Sequence, residues 1–322
     1  MTPTLHEHAV FARGPILGAV HELSTDVESH AHDFLEIAVI GAGRGRHVTS
    51  GGERELRCGE VVILRPGAWH GFRDCVGLTV ANCCLSAKAL RAELAALHDI
   101  PALRRILWTD PMASGTHGVA VTTVGQTAAE EATAEIGRLE RDLATPEARP
   151  GRVLGRLVTV LGILADGRDL EPATAESAIH PAVAATVARL EEAPAQQWRL
   201  DDLARAVNLD PAYLGRLFAQ DIGLTTMGFL ARVRAERAAT LLANSTLSAA
   251  QVGATVGWGD PTYFARRFRT LVGLTPSEYR RRSQAIPTHY RPGGGADDED
   301  DLRPKRANRS GPVSGMMPSG LT

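Results

Sequence analysis

Asp210-Pro211-Ala212-Tyr213-Leu214-Gly215-Arg216-Leu217-Phe218, then Ile222-Gly223-Leu224-Thr225 and Phe229, returns fifty residues later. The second copy reads Asp260-Pro261-Thr262-Tyr263-Phe264-Ala265-Arg266-Arg267-Phe268, then Val272-Gly273-Leu274-Thr275 and Tyr279. An acid, a proline, a tyrosine, an arginine, a phenylalanine and Gly-Leu-Thr recur at one spacing, which chance does not readily produce. Each copy opens like a capped helix. Asp210 and Asp260 suit the N-cap, and Pro211 and Pro261 suit the first turn, where a missing N–H costs nothing. A short helix is expected before each copy, over 200–207 and 248–256. Small Ala204 stands where the first helix pair must approach closely, Asn208-Leu209 and Gly257-Trp258-Gly259 make the turns, and Leu209 and Trp258 fill the angle between the helices. The pattern predicts two helix-turn-helix units.

Helical phase sorts the side chains. Leu214, Leu217, Phe218, Phe264 and Phe268 face inward, which turns Ala212, Gly215 and Arg216 outward in the first helix and Thr262, Ala265, Arg266 and Arg269 outward in the second, with Arg267 beside them. Arginine near the front of a helix suits bidentate contact with guanine, and Thr or Ala suits the thymine methyl. These eight residues are the expected contacts to double-stranded DNA; the bland alternative is phosphate contact or surface ion pairing. The second unit is expected to read at least as many bases as the first, because Ala212 and Gly215 offer little side chain. Between the units 227–244 reads as one helix about 27 Å long. Phe229, Leu230, Val233, Ala238, Leu241 and Leu242 form its buried stripe, with Arg232, Arg234 and Arg237 off it. Successive major-groove faces lie about 34 Å apart, so one such helix can present both units to adjacent grooves.

Charge agrees. The whole chain carries a formal −2. Residues 196–282 hold twelve arginines against seven acidic residues, a surplus of five, so the remainder is acidic by seven.

Residues 180–283 resemble the AraC/XylS family of regulators. The likeness rests on Leu203-Ala204-Arg205-Ala206-Val207, Tyr213-Leu214-Gly215-Arg216-Leu217-Phe218, Arg234-Ala235-Glu236-Arg237-Ala238, Val256-Gly257-Trp258 and Gly273-Leu274-Thr275-Pro276-Ser277-Glu278-Tyr279-Arg280. It implies a sequence-specific, effector-responsive transcription regulator, most often an activator that contacts RNA polymerase. Thr226 departs from the family's usual proline at the start of the linker helix.

The first third is built differently. Short apolar runs, Leu35-Glu36-Ile37-Ala38-Val39-Ile40, Val61-Val62-Ile63-Leu64 and Leu78-Thr79-Val80-Ala81, alternate with turn signals such as Ser50-Gly51-Gly52 and Arg65-Pro66-Gly67. That spacing predicts an antiparallel sandwich or barrel. His30, His32 and Glu36 share parity, and with His70 after Trp69 they are similar to the ligand elements of a cupin barrel, with Gly59 upstream. Three imidazoles and a carboxylate suit a single divalent transition metal (Zn, Ni, Fe or Mn). The same residues with Trp69 could instead hydrogen-bond a small polar effector, or the histidines could be a structural remnant. The corresponding rival function is a metal-dependent cupin enzyme, a dioxygenase or isomerase, fused to a DNA-binding module. The double helix-turn-helix argues against enzymatic turnover as the main role, and a purely architectural DNA binder would need no barrel pocket.

The expected organisation is α+β with two domains: a cupin-like barrel over 1–85 with accessory helices over 86–166, a linker over 167–180, an all-α double helix-turn-helix domain over 181–284, and a disordered Gly-, Pro- and acid-rich tail over 285–322. Among the accessory helices, 86–98 is expected to start from a Ser86 cap, and 127–144 and 148–166 follow. Val153, Leu157, Val160, Leu161 and Leu164 form a stripe on the last, read either as cover for the barrel core or as a homodimer seam. The N-terminus lacks the pattern of a signal peptide and no apolar run reaches membrane length, which points to a cytoplasmic protein. Cys58, Cys75, Cys83 and Cys84 form no C-x-x-C pair and read as buried thiols.

Overall fold

The computed structural model describes residues 4–5, 14–86, 94–113, 115–145, 149–167 and 179–282. The expected tail, most of the expected linker and the front half of the helix expected over 86–98 lie outside the described residues.

Among the described residues, ten strands form two five-stranded sheets that face each other. The first sheet holds β1 (Thr4–Leu5), β3 (Val27–His32), β8 (Trp69–Val76), β5 (Arg44–Thr49) and β6 (Gly52–Glu55) in that order. The second holds β10 (Val119–Thr123), β7 (Glu60–Leu64), β4 (Leu35–Ile40), β9 (Leu78–Leu85) and β2 (Ile16–Leu23). Pairing is antiparallel except β1 with β3. The barrel thus recruits a strand from 119–123, outside the span of 1–85 expected for it and between the helices expected over 86–98 and 127–144. Val119, Val121, Thr122 and Thr123 are β-branched, and the segment pairs along the whole of β7.

Strands β4 and β7 are buried at every residue because both their faces are covered. Ala38, Ile40, Val62 and Leu64 pack with Phe72 and Val80 inside the barrel. Ile37, Val39, Val61 and Ile63 face outward into a second core. That outer face is roofed by α1 (Gln126–Ala144) and α2 (Pro150–Asp166). Leu157, Val160, Leu161 and Leu164 are each at most 1% exposed within this single chain. The stripe expected as either a seam or a roof is a roof, and the exposed apolar residues of α2 are Leu154 and Val158. Residues 95–112 form a chain of short helical turns that includes a π-type turn at Arg105–Thr109. Cys75, Cys83 and Cys84 are buried as expected, whereas Cys58 is exposed.

The C-terminal part holds seven helices among the described residues: α3 (Pro181–Glu192), α4 (Leu200–Ala206), α5 (Pro211–Ile222), α6 (Thr226–Asn244), α7 (Ala249–Thr255), α8 (Pro261–Val272) and α9 (Pro276–Arg282). None of the described helices is long and apolar enough to cross a membrane.

Helix α6 corrects one expectation. Arg232 and Arg234, placed off the buried stripe, are each only 7% exposed. Arg232 donates to the carbonyls of Met112, Ala113 and Leu271. Arg234 donates to Pro194 O at 2.7 Å and Gln196 O at 2.8 Å. A lone helix would show a polar face here. This one is wrapped by the barrel on one side and by helix-turn-helix units on others, and its arginines satisfy backbone carbonyls that burial would otherwise orphan.

Candidate DNA interface and sensor site

The two helix-turn-helix units are α4–α5 and α7–α8. In the first, Asn208 takes the left-handed conformation (φ 56°), and in the second Gly257 does (φ 91°). Leu209 N then bonds Ala204 O at 3.0 Å, and Trp258 N bonds Gly253 O at 2.8 Å, so both turns close the same way. Gly253 answers Ala204: a Cβ there would stand 2.8 Å from the Phe264 ring. The Asp210 carboxylate accepts from Ala212 N (2.9 Å) and Tyr213 N (3.0 Å), and Asp260 accepts from Tyr263 N (2.6 Å). Each such cap contributes about 1 kcal/mol to helix stability. The missing proline at 226 does not displace the linker helix, because Thr225 caps it by accepting from Gly228 N at 3.0 Å.

Ala212, Arg216, Thr262, Arg266 and Arg269 are exposed, and Gly215 and Ala265 are half-buried at the base of the same faces. Arg267 stands apart. It is half-buried, and its charge bears on Arg232, which places it on the side of α8 turned toward α6. Two residues escaped the phase argument. Tyr213 and Tyr263 are 44% and 43% exposed, and the Arg266 guanidinium lies 5.9 Å from the centre of the Tyr263 ring. Their i, i+3 spacing to Arg216 and Arg266 was the available signal. Arg266 and Arg269 also line an open cleft of about 530 Å³ whose far wall is Ser50 and His117 of the barrel.

The barrel brings the histidines together. His30 and His32 lie on β3, His47 on β5 and His70 on β8, while Glu36 reaches in from β4 of the opposite sheet. All five are at most 1% exposed. His32 Nε2 is 3.3 Å from Glu36 Oε2. The ligand atoms of His32, Glu36 and His70 lie within 4.8 Å of one another. The His30 ring is 4.4 Å from that of His70, centre to centre. His30 Nδ1 sits 3.0 Å from Glu28 O, His32 Nδ1 2.9 Å from Phe34 O, and His70 Nδ1 3.2 Å from His47 Nε2. Burial, reinforced by the charge of Arg54, holds the His47 imidazole down at a pKa of about 4, so it is neutral at physiological pH. His47 was missed in the sequence because Arg44-Gly45-Arg46-His47 carries no ligand spacing. Cys84 stands across the ladder from Glu36. Trp69, expected in the pocket, is on the other face of β8 and packs against the α6–α8 core.

Barrel and helices meet through charged and small residues. Arg65 forms two 2.8 Å bonds to the Glu236 carboxylate and a third to Leu107 O at 3.1 Å. Asn244 donates to Asp33 at 2.7 Å. The left-handed glycines that end α5 and α8 both touch the sensor: a Cβ at Gly223 would stand 2.6 Å from Thr109, and one at Gly273 2.5 Å from Ser50.

Residues 203–282 match the helix-turn-helix domain family, and residues 19–108 match the AraC-like ligand-binding domain family. The HTH-type transcriptional activator RhaR of Mannheimia succiniciproducens is 24% identical over 277 residues, covering 86% of this chain and 95% of that protein. RhaR of Escherichia coli is 23% identical over 256 residues, covering 78% and 86%. Among solved structures, ToxT from Vibrio cholerae aligns with a TM-score of 0.50 and 9% identity, covering 84% of this chain and 99% of that one, a likeness of fold.

Proposed function

From the chain's membership of the AraC family of transcription regulators, a DNA-binding family and not an enzyme family, we propose that it reads adjacent major grooves of one duplex with α5 and α8 and answers to an effector held in its barrel. The observation that carries this reading is the pair of capped helices with Arg216 and Arg266 exposed at equivalent positions. Thr262 and Arg266 make α8 the richer reader, with Arg269 facing the phosphate backbone. Ala212 and Gly215 leave α5 with Arg216, beside the aromatic edge of Tyr213. Helix α6 spans about 28 Å, so some bending of the DNA brings the grooves to the helices. Arg267 supports α8 from behind and is not counted among the base contacts.

The relatives named as activators favour activation, and contact with RNA polymerase is the route proposed for it. A homodimer in the cytoplasm fits a regulator of this kind. Exposed Leu154 and Val158, one turn apart on α2, supply the apolar strip for it in place of the buried stripe.

The test is selection of genomic fragments by the purified full chain, followed by footprinting of the enriched sites. Two protected major-groove segments about ten base pairs apart on one face are expected. Retention of fragments without sequence preference, at a salt concentration where phosphate contacts are screened, would overturn the proposal.

A further inference from the structure

We infer that the open cleft between the barrel and α8 binds a small hydroxylated organic anion, a sugar phosphate or a hydroxy acid, and that this ligand competes with DNA for Arg266 and Arg269. The competition rests on the reading of α8 as a DNA reader, and three observations carry the site.

The first is charge. Arg266 and Arg269 lie one turn apart on α8, and both line the cleft. Among the described residues its walls carry no carboxylate. Glu278, whose carboxyl feels the charge of Arg269, is engaged elsewhere: it accepts from Thr275 N at 2.9 Å and from Thr275 Oγ1 at 2.7 Å. Two guanidiniums on one wall suit the forked recognition of a carboxylate or a phosphate. Thr270 adds a second preference. Its hydroxyl donates to Arg266 O at 3.0 Å, so its lone pairs are left for a donor. A ligand hydroxyl supplies that donor and a bare anion does not.

The second observation is the opposite wall. His117 takes the left-handed conformation (φ 52°), which residues with a side chain adopt rarely and which clusters at ligand sites. Its ring borders the cleft, 3.6 Å from where a Cβ on Gly273 would stand. Burial, reinforced by the charge of Arg232, holds the imidazole below its ordinary pKa, so it offers a hydrogen-bonding edge and not a further charge. Ser50 adds a hydroxyl beside it. The third observation is size. The cleft holds about 530 Å³, within the range of about 300–1,000 Å³ that small organic ligands occupy. The cavity inside the barrel holds about 10 Å³. An organic anion therefore enters the cleft without rearrangement of the chain. Once there it takes up the guanidiniums that α8 turns to DNA, and the two partners exclude each other.

The experiment uses the full chain and a selected genomic site at constant ionic strength, so that screening of phosphate contacts stays fixed. Glucose 6-phosphate and citrate are the probes, with glucose and inorganic phosphate as controls. Isothermal titration should give one saturable site per chain for at least one probe, with no binding of glucose and with inorganic phosphate weaker by about tenfold. The probe that binds more tightly tells a sugar phosphate from a hydroxy acid. DNA affinity should fall about elevenfold when that probe stands at about ten times its dissociation constant, as mutually exclusive binding requires. His117→Gly suits the left-handed backbone. It should weaken the probe about fivefold, the worth of one hydrogen bond, with DNA affinity in the absence of probe nearly unchanged. Ser50→Asp sets a carboxylate in the same wall and should weaken the probe about tenfold, which keeps the test decisive if His117→Gly folds poorly. Absence of saturable binding of both probes at millimolar concentration, probe binding indifferent to both variants, or DNA affinity unchanged at saturating probe would overturn the inference. Specific DNA binding without probe binding refutes the cleft site alone, and probe binding without specific DNA binding refutes the regulator.

Discussion

Removing the carboxylate of Glu236 should loosen the barrel from the linker helix, and the size of the effect follows from the geometry. Arg65 is 6% exposed and Glu236 17%. They share two hydrogen bonds of 2.8 Å, and Arg65 has one further partner, Leu107 O. Breaking a buried pair by deleting one partner costs about 3–5 kcal/mol, because the other charge stays behind in the interior. Glu236 lies nearer to water, and parting the two domains would let Arg65 hydrate, so the cost for Glu236→Ala should sit near the lower end, about 3 kcal/mol. Arg65→Ala also orphans Leu107 O and should cost about the same or slightly more. The double variant leaves no stranded charge. Its loss should fall short of the sum of the singles by about 2 kcal/mol. Urea denaturation followed by tryptophan fluorescence is the assay, since Trp69 and Trp258 both report on the core that joins the barrel to α6 and α8. Additive losses, with a coupling energy below about 0.5 kcal/mol, would refute the claim that this pair fastens the domains.

Arg266→Ala should weaken a selected site by about 1–3 kcal/mol and flatten the preference at one or two base pairs, measured on single-base operator variants; a uniform loss across the panel would make Arg266 a backbone clamp. Arg269→Ala should weaken all sequences alike and lower the dependence of log K on log salt by about one unit. Leu161→Ala, in the roof over the barrel, should cost about 2–5 kcal/mol of stability while sedimentation still reports a dimer, whereas Val158→Asp should leave the melting point nearly unchanged and yield monomers. Ala31→Leu should wedge the barrel from the helices, which limited proteolysis would detect as faster cleavage between them; unchanged cleavage would show that the contact at Ala31 is loose.

The DNA-binding half was legible because its signals are local. Caps, prolines, turn residues and helical phase act within four or five residues, and Asp210, Asp260, Thr225 and Ser248 all cap as their chemistry dictates. What the sequence could not reveal depends on what covers a face. The stripe of α2 shows that a helix has an apolar partner without naming it, and the partner is the outer face of β4 and β7. Arg232 and Arg234 look like surface residues because their partners, Met112, Ala113, Pro194 and Gln196, are backbone carbonyls of distant segments. In the sensor, strand parity put His30 and His32 on one face of β3, but the strand ends at His32 and Glu36 comes to them from β4 of the opposite sheet, so the fold and not parity brings it there. His47 was invisible, since only the pairing of β5 with β8 brings it to His70. Trp69 failed by the same rule that made His70 succeed: adjacent residues of a strand face opposite ways.

That alternation also joins sensing to DNA binding over very few bonds. On β3, His30 and His32 point into the barrel and Ala31, between them, packs in the core that contains Ala235, Ala238 and Phe268. The next residue, Asp33, accepts from Asn244 at the end of the linker helix. His32 O accepts from Gly67 N, and a Cβ at Gly67 would lie 2.7 Å from Ala239 of α6. One strand is therefore both a wall of the histidine site and a seat of the helix that spaces the two DNA readers. A ligand held in the barrel alters DNA affinity only to the extent that it binds the seated and unseated arrangements differently. A shift of β3 by a few tenths of an ångström would be felt at Ala31, where close-packed small residues leave no slack. Larger side chains at 31, 235, 238 and 239 could deform and absorb such a shift. Alanine cannot, so the small residues at this contact suit it to transmit the state of the site.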